Sequence, residues 1–83
     1  TAARALSIDL DAFDPAEAPA VGSPVPGGLR AAEFLPALVG LAADTGFDLI
    51  EIAEYNPTLP GRDITYGLIE KMMTALLPAV VSR

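Results

Sequence analysis

Ala5-Leu6-Ser7-Ile8-Asp9-Leu10-Asp11-Ala12-Phe13-Asp14-Pro15 begins as a short apolar run, ends in acid and is broken by Asp14-Pro15. A run of this length with such a break reads as a buried strand, predicted over Ala5 to Asp9, with its carboxyl end emerging at Asp9 to Asp11. If the chain stays extended, Ser7, Asp9 and Asp11 leave the same side, and the two aspartates lie roughly 6 to 7 Å apart at Cα.

Downstream, Phe13 to Gly28 carries Pro15, Pro19, Pro24 and Pro26 together with Gly22, Gly27 and Gly28. Prolines lack the donor a ladder needs, so this segment is predicted as a long ordered loop, and long ordered loops usually carry function. Residues 30–43 place Phe34, Leu35, Leu38, Val39 and Leu41 at helical spacing, with Gly46 as a stop. Pro36 fits that helix if the helix starts two or three residues before it, where a missing donor costs nothing, or if it is kinked there. Phe47 to Ala53 carries Leu49, Ile50 and Ile52, ends at Asn56-Pro57 and suits a central strand. After Pro60 and Gly61, Asp63 is the expected N-cap of a long amphipathic helix reaching about Val81. In it Ile64, Leu68, Ile69, Met72, Met73, Leu76 and Leu77 form the apolar stripe, with the methionines as packing and Pro78 distorting the last turn.

Strand, helix, strand, helix implies a parallel pair joined by a right-handed crossover. Two parallel strands do not stand alone, because parallel sheets are normally wider and covered on both faces. The fold class is therefore α/β, with this β-α-β-α unit as part of a larger three-layer α/β/α domain.

Composition supports that expectation. A chain of 83 residues buries only roughly 60 to 65% of the surface its unfolded form exposes, yet its hydrophobic fraction is 52%. So apolar a chain needs neighbours to cover its faces. Cysteine and histidine are both absent, which removes disulfides, thiolate zinc sites and imidazole chemistry. Eleven acidic against five basic residues give a net charge of −6, which argues against nucleic acid or an anionic membrane as partner. No apolar run has the length of a membrane span, and the first ten residues lack the order of a signal peptide, so a soluble, cytoplasmic protein is expected.

The chemistry left to this chain is that of carboxylates. Both strands point the same way, so Asp9, Asp11 and Glu54 fall on the rim where open α/β sheets bind ligands. Aspartate oxygens are hard ligands that suit manganese or magnesium. The plainer alternative is a solvated turn in which Asp11 or Asp14 caps backbone donors. Gly27-Gly28 lacks the context of a phosphate cradle, and Glu54 alone reads as an exposed acid at a strand end.

Ser7-Ile8-Asp9-Leu10-Asp11, Asp14-Pro15, Pro19-Ala20-Val21-Gly22-Ser23-Pro24 and Gly27-Gly28-Leu29 stand in order. This pattern resembles the signature of the ureohydrolases, the arginase, agmatinase and formimidoylglutamase family: Ser-x-Asp-x-Asp, Asp-Pro, Pro-x-x-Gly-Thr-Pro and Gly-Gly-Leu. Glu54-Tyr55-Asn56-Pro57 resembles the segment after the family's last strand, so the likeness runs over essentially the whole chain.

The resemblance implies an arginase-like three-layer fold of which residues 1–83 are the carboxy-terminal part of a single domain. It implies Asp11 as a catalytic metal ligand and Asp9 as a ligand bridging two Mn2+ ions. Glu54 would bind the substrate's guanidinium or amidine group, with Ser23 beside it where the family usually has threonine. The implied reaction is hydrolysis of a guanidino C–N bond with release of urea; the alternatives are a formimidoylglutamase-type hydrolase releasing formamide or, for this piece alone, a non-catalytic assembly module. Small guanidino or formimino substrates, a trimer or hexamer and the upstream part of the same protein are the implied partners. The family's histidine ligands and its Asp-x-His-x-Asp segment are absent, so the chain is expected to be a fragment that cannot complete the metal cluster.

Overall fold

The computed structural model describes residues 4–81, with side chains to residue 78. Its order is β1 (Ala5–Asp9), α1 (Ala31–Thr45), β2 (Leu49–Ala53) and α2 (Arg62–Val81), with a 3-10 turn at Leu10–Ala12. β1 and β2 are parallel, in the register Ala5 to Leu49 through Asp9 to Ala53. The predicted β-α-β-α order and parallel pairing are what the chain adopts.

The pleat separates two faces. Leu6, Ile8, Ile50 and Ile52 turn toward the core, where Ile8 joins Leu35 and Leu38 of α1 and Leu68, Met72 and Leu76 of α2. Ala5, Ser7, Asp9, Leu49 and Glu51 occupy the opposite face and are exposed. The described residues thus supply the sheet and one helical layer of a three-layer arrangement.

The predicted helix of residues 30–43 runs from Ala31 to Thr45 and stops at Gly46, which has φ 70° and donates its N–H to the Ala42 carbonyl at 2.8 Å. Pro36 lies inside the helix, five residues after its start rather than two or three. It removes the bond to the Ala32 carbonyl, but both residues are exposed, so water can satisfy that oxygen. Arg30, at the N-cap, makes no side-chain cap; Glu17 reaches back from the loop instead, its Oε2 accepting the Ala31 N–H at 2.8 Å. α2 starts at Arg62, so Asp63 sits in the first turn and is not the N-cap. The Gly61 carbonyl takes the first helical bonds, from Ile64 and Thr65. Pro78 does not end the helix, which continues to Val81.

Several apolar side chains expected in the core are exposed: Val39 and Leu41 on α1, and Ile64, Met73 and Leu77 on α2. Met73 therefore departs from its packing assignment, whereas Met72 is fully buried. Periodicity marks both groups alike, because a helix in a layered domain can bury two sides, and only one side has its neighbours here.

The loop after β1 is closed at its base by a parallel bridge between Phe13 and Leu29. The Asp14 N–H donates to the Leu29 carbonyl at 2.9 Å and the Leu29 N–H to that of Ala12 at 2.8 Å. A Cβ on Gly28 would stand 2.6 Å from the Ala12 oxygen and 2.8 Å from the Phe13 carbonyl carbon, so glycine is required for this closure. The buried Phe13 ring packs edge-on against Phe34, centroids 5.6 Å apart, joining the loop to α1.

Candidate active-site rim

Asp9 is the last residue of β1 and the N-cap of the 3-10 turn, still extended at φ −90° and ψ 119°. Its Oδ1 accepts the Asp11 N–H at 2.8 Å. The chain leaves the strand conformation at Leu10, so the extended two-residue spacing expected for Asp9 and Asp11 gives way to a side-chain-capped turn. Buried Leu10 and Phe13 pull that turn inward on either side of Asp11. The expected capping role in the plainer alternative is real, but it falls to Asp9 and Asp14.

Asp11 stands differently. Its Oδ1 is buried and has no hydrogen-bond partner among the described residues. Buried carboxylate oxygens almost always have a donor or a cation, because an unpaired buried charge is costly. Asp9 uses only one oxygen in the turn. Two aspartates two residues apart in the chain, one with a buried and unsatisfied oxygen, supply the hard oxygen donors that a divalent cation such as manganese takes. No group of three or more metal-ligating side chains occurs among the described residues, so the remaining ligands are not supplied by them.

Glu54 follows the Asp9–Ala53 pair by one residue, which brings it to the same edge of the sheet as Asp9 and Asp11. It is exposed, and its φ of 75° makes it the one non-glycine residue with positive φ among those described. That conformation costs roughly 1–2 kcal/mol for a residue with a Cβ, and strain of this kind tends to persist where it serves a site. Ser23 is exposed in the bend after Val21. Its loop is tied to the loop of Glu54 by the Asn56 N–H, which donates to the Ala20 carbonyl at 2.8 Å.

Asp14 clips the far side of the same loop. Its Oδ1 accepts from the Ala16 N–H at 2.9 Å and its Oδ2 from that of Gly27 at 3.0 Å. These two donors, with a smaller contribution from Arg30, hold its carboxyl below the ordinary value of 3.8. Asp14 therefore works on loop geometry, while Asp11 keeps an oxygen free.

Glu17 and Thr65 were not singled out by their sequence context, since their partners lie 14 and 45 residues away. The spacing of Thr65 in step with Leu68, Met72 and Leu76 was the available signal for its position, though not for its partner.

Comparison with known proteins identifies the fold and the family. The Arginase family model matches residues 2–78. The arginase of Bacillus caldovelox is 41% identical over 71 residues, which cover 86% of this chain and 24% of that protein. The solved proclavaminate amidino hydrolase from Streptomyces clavuligerus superposes with a TM-score of 0.81 at 34% identity, covering 92% of this chain and 26% of the other. Formimidoylglutamase from Bacillus subtilis superposes with a TM-score of 0.83 at 33% identity, covering 95% and 25%. The chain thus spans about a quarter of the length of these relatives. A β-α-β-α unit of arginase-type α/β fold, with matching sequence from the first strand to the last helix, leaves one assignment: the chain belongs to the arginase family.

Proposed function

We propose that the protein to which these residues belong is a manganese-dependent hydrolase of linear amidines, cleaving a guanidino C–N bond with release of urea. The observation that carries this reading is the buried, unpartnered Asp11 Oδ1 on the same rim as Glu54. Asp9 and Asp11 would hold the metal through their carboxylates, with the other ligands coming from sequence outside this chain. Manganese, when bound, would supply Lewis-acid charge and an activated water for hydrolysis.

The chain's own residues would bind and orient the substrate. A guanidinium is a planar cation with paired donors, which a carboxylate such as Glu54 accepts through two charge-assisted hydrogen bonds. The left-handed backbone at Glu54, a conformation kept at a cost, supports a role for that residue at the site. The Ser23 hydroxyl, on the adjoining loop, would offer a further hydrogen bond to the amidine. Residues 1–83 would form the carboxy-terminal part of one domain, in a cytoplasmic trimer or hexamer.

A formimino substrate, with formamide as product, is the second reading. The likeness to formimidoylglutamase supports it as the likeness to arginase supports the first, and Glu54 would bind that cationic amidine in the same way.

Asp11→Ala in the full-length protein is expected to abolish hydrolysis of arginine, agmatine and formimidoylglutamate alike while the protein stays folded by circular dichroism. Turnover at the wild-type rate in that variant would sink the assignment.

A further inference from the structure

Thr65 is the one polar residue buried among those described, at 0% exposure. Its Oγ1 accepts the Ala20 N–H at 2.9 Å and donates to the Gly61 carbonyl at 3.4 Å. Ala20 is itself fully buried, and its carbonyl accepts the Asn56 N–H at 2.8 Å. The Ala20 backbone is therefore held at its N–H by the start of α2 and at its carbonyl by the loop after β2. Gly61 completes the clamp: at φ 80°, a Cβ there would overlap the Pro19 ring.

Ser23 lies three residues beyond Ala20, and Glu54 two residues before Asn56. The clamp thus ties the loop that carries Ser23 to the loop that carries Glu54. The metal-facing aspartates are held separately, by the turn in which Asp9 caps Asp11.

We propose that Thr65 is a positioning residue for substrate binding, acting through the Ala20 backbone to set Ser23 against Glu54; this rests on the amidine-hydrolase reading above. Without the hydroxyl, the buried Ala20 N–H has no acceptor, and the segment must shift to find one. That shift moves Ser23 and pulls on the Glu54 loop, while Asp9 and Asp11 keep their geometry. Substrate affinity should suffer more than metal content.

The test uses the full-length, manganese-loaded enzyme and whichever of arginine, agmatine and formimidoylglutamate it hydrolyses. Thr65→Val is expected to raise KM about tenfold while kcat changes less than about threefold, with manganese content unchanged. Thr65→Ser, which keeps the hydroxyl, should return KM to within about twofold of wild type. A lower melting temperature for Thr65→Val with an unchanged KM would reduce Thr65 to a packing role and overturn the inference, as would Thr65→Ser failing to restore KM. If Thr65→Val does not fold, Gly61→Ala pushes the same segment from the Pro19 side with the hydroxyl intact; it should raise KM similarly, and an unchanged KM would overturn the inference. A wild-type enzyme that hydrolyses none of the three substrates would overturn the amidine reading and this inference together; an active one with a normal Thr65→Val would overturn only the positioning role.

Discussion

The loop after β1 and the outer side of β2 and α2 reverse the usual relation between regular and irregular structure. The loop has no repeating hydrogen bonds, yet Leu10, Phe13, Ala18, Ala20 and Val21 in and before it are all buried. The strand and helix are regular, yet Leu49, Met73 and Leu77 are 60%, 55% and 54% exposed. Between them runs an apolar groove of about 510 Å³, lined also by Ile50, Ile69 and Tyr55. Loops usually lie on the surface, and exposed apolar patches of this kind usually meet a partner. The chain therefore packs the loop that borders its candidate site but leaves one face of its own sheet uncovered, as expected of a segment about a quarter as long as its relatives.

The largest expected effect comes from the loop. Phe13→Ala in the full-length protein should cost about 3–5 kcal/mol of stability, because it empties a packed position shared with Phe34. Leu77→Ala sharpens the contrast: with the rest of the domain over the groove, it should cost about 2–3 kcal/mol. A change near zero for Leu77→Ala, measured by denaturant unfolding, would mean that this face stays solvated in the whole protein.

A smaller effect is expected at Glu17, whose carboxylate caps α1 from the loop. Glu17→Ala should cost about 1 kcal/mol, the usual worth of a helix N-terminal cap, read as a lower midpoint in the same unfolding experiment.

The smallest is a pH dependence. Asp14 has its carboxyl held below the usual 3.8, first by the Ala16 N–H and then by that of Gly27. A carboxylate whose folded value is depressed adds stability in full above its unfolded value, and loses it as pH falls through the folded value. The loop should therefore loosen below about pH 4, seen as faster proteolysis between residues 13 and 28, and Asp14→Ala should remove that acid-dependent step.

How much of this was legible in the sequence depended on the range of each interaction. The strand at Ala5–Asp9, its parallel partner and both helices follow from local periodicity and from Gly46, Asn56 and Gly61 as breaks. Asp9, Asp11 and Glu54 were readable as one rim because parallel strands share their carboxyl end. The 3-10 turn at Leu10 was not, since an alternation of apolar and acidic residues does not say where extension stops. Nor was the exposure of Met73 beside buried Met72, because spacing names the apolar residues of a helix without saying which layer each one meets. Thr65 and Glu17 stayed hidden for a different reason: each works through a backbone N–H distant in sequence, and a hydroxyl or carboxylate carries no mark of such a partner.

A buried Asp11 oxygen that faces a metal can be read from the manganese stoichiometry of the full-length protein with Asp11→Asn. Asparagine keeps the shape of the turn but replaces a charged oxygen ligand, so wild type should retain bound manganese through dialysis while the variant loses at least one ion per chain, measured by inductively coupled plasma mass spectrometry. Equal manganese content in the two proteins would contradict the account.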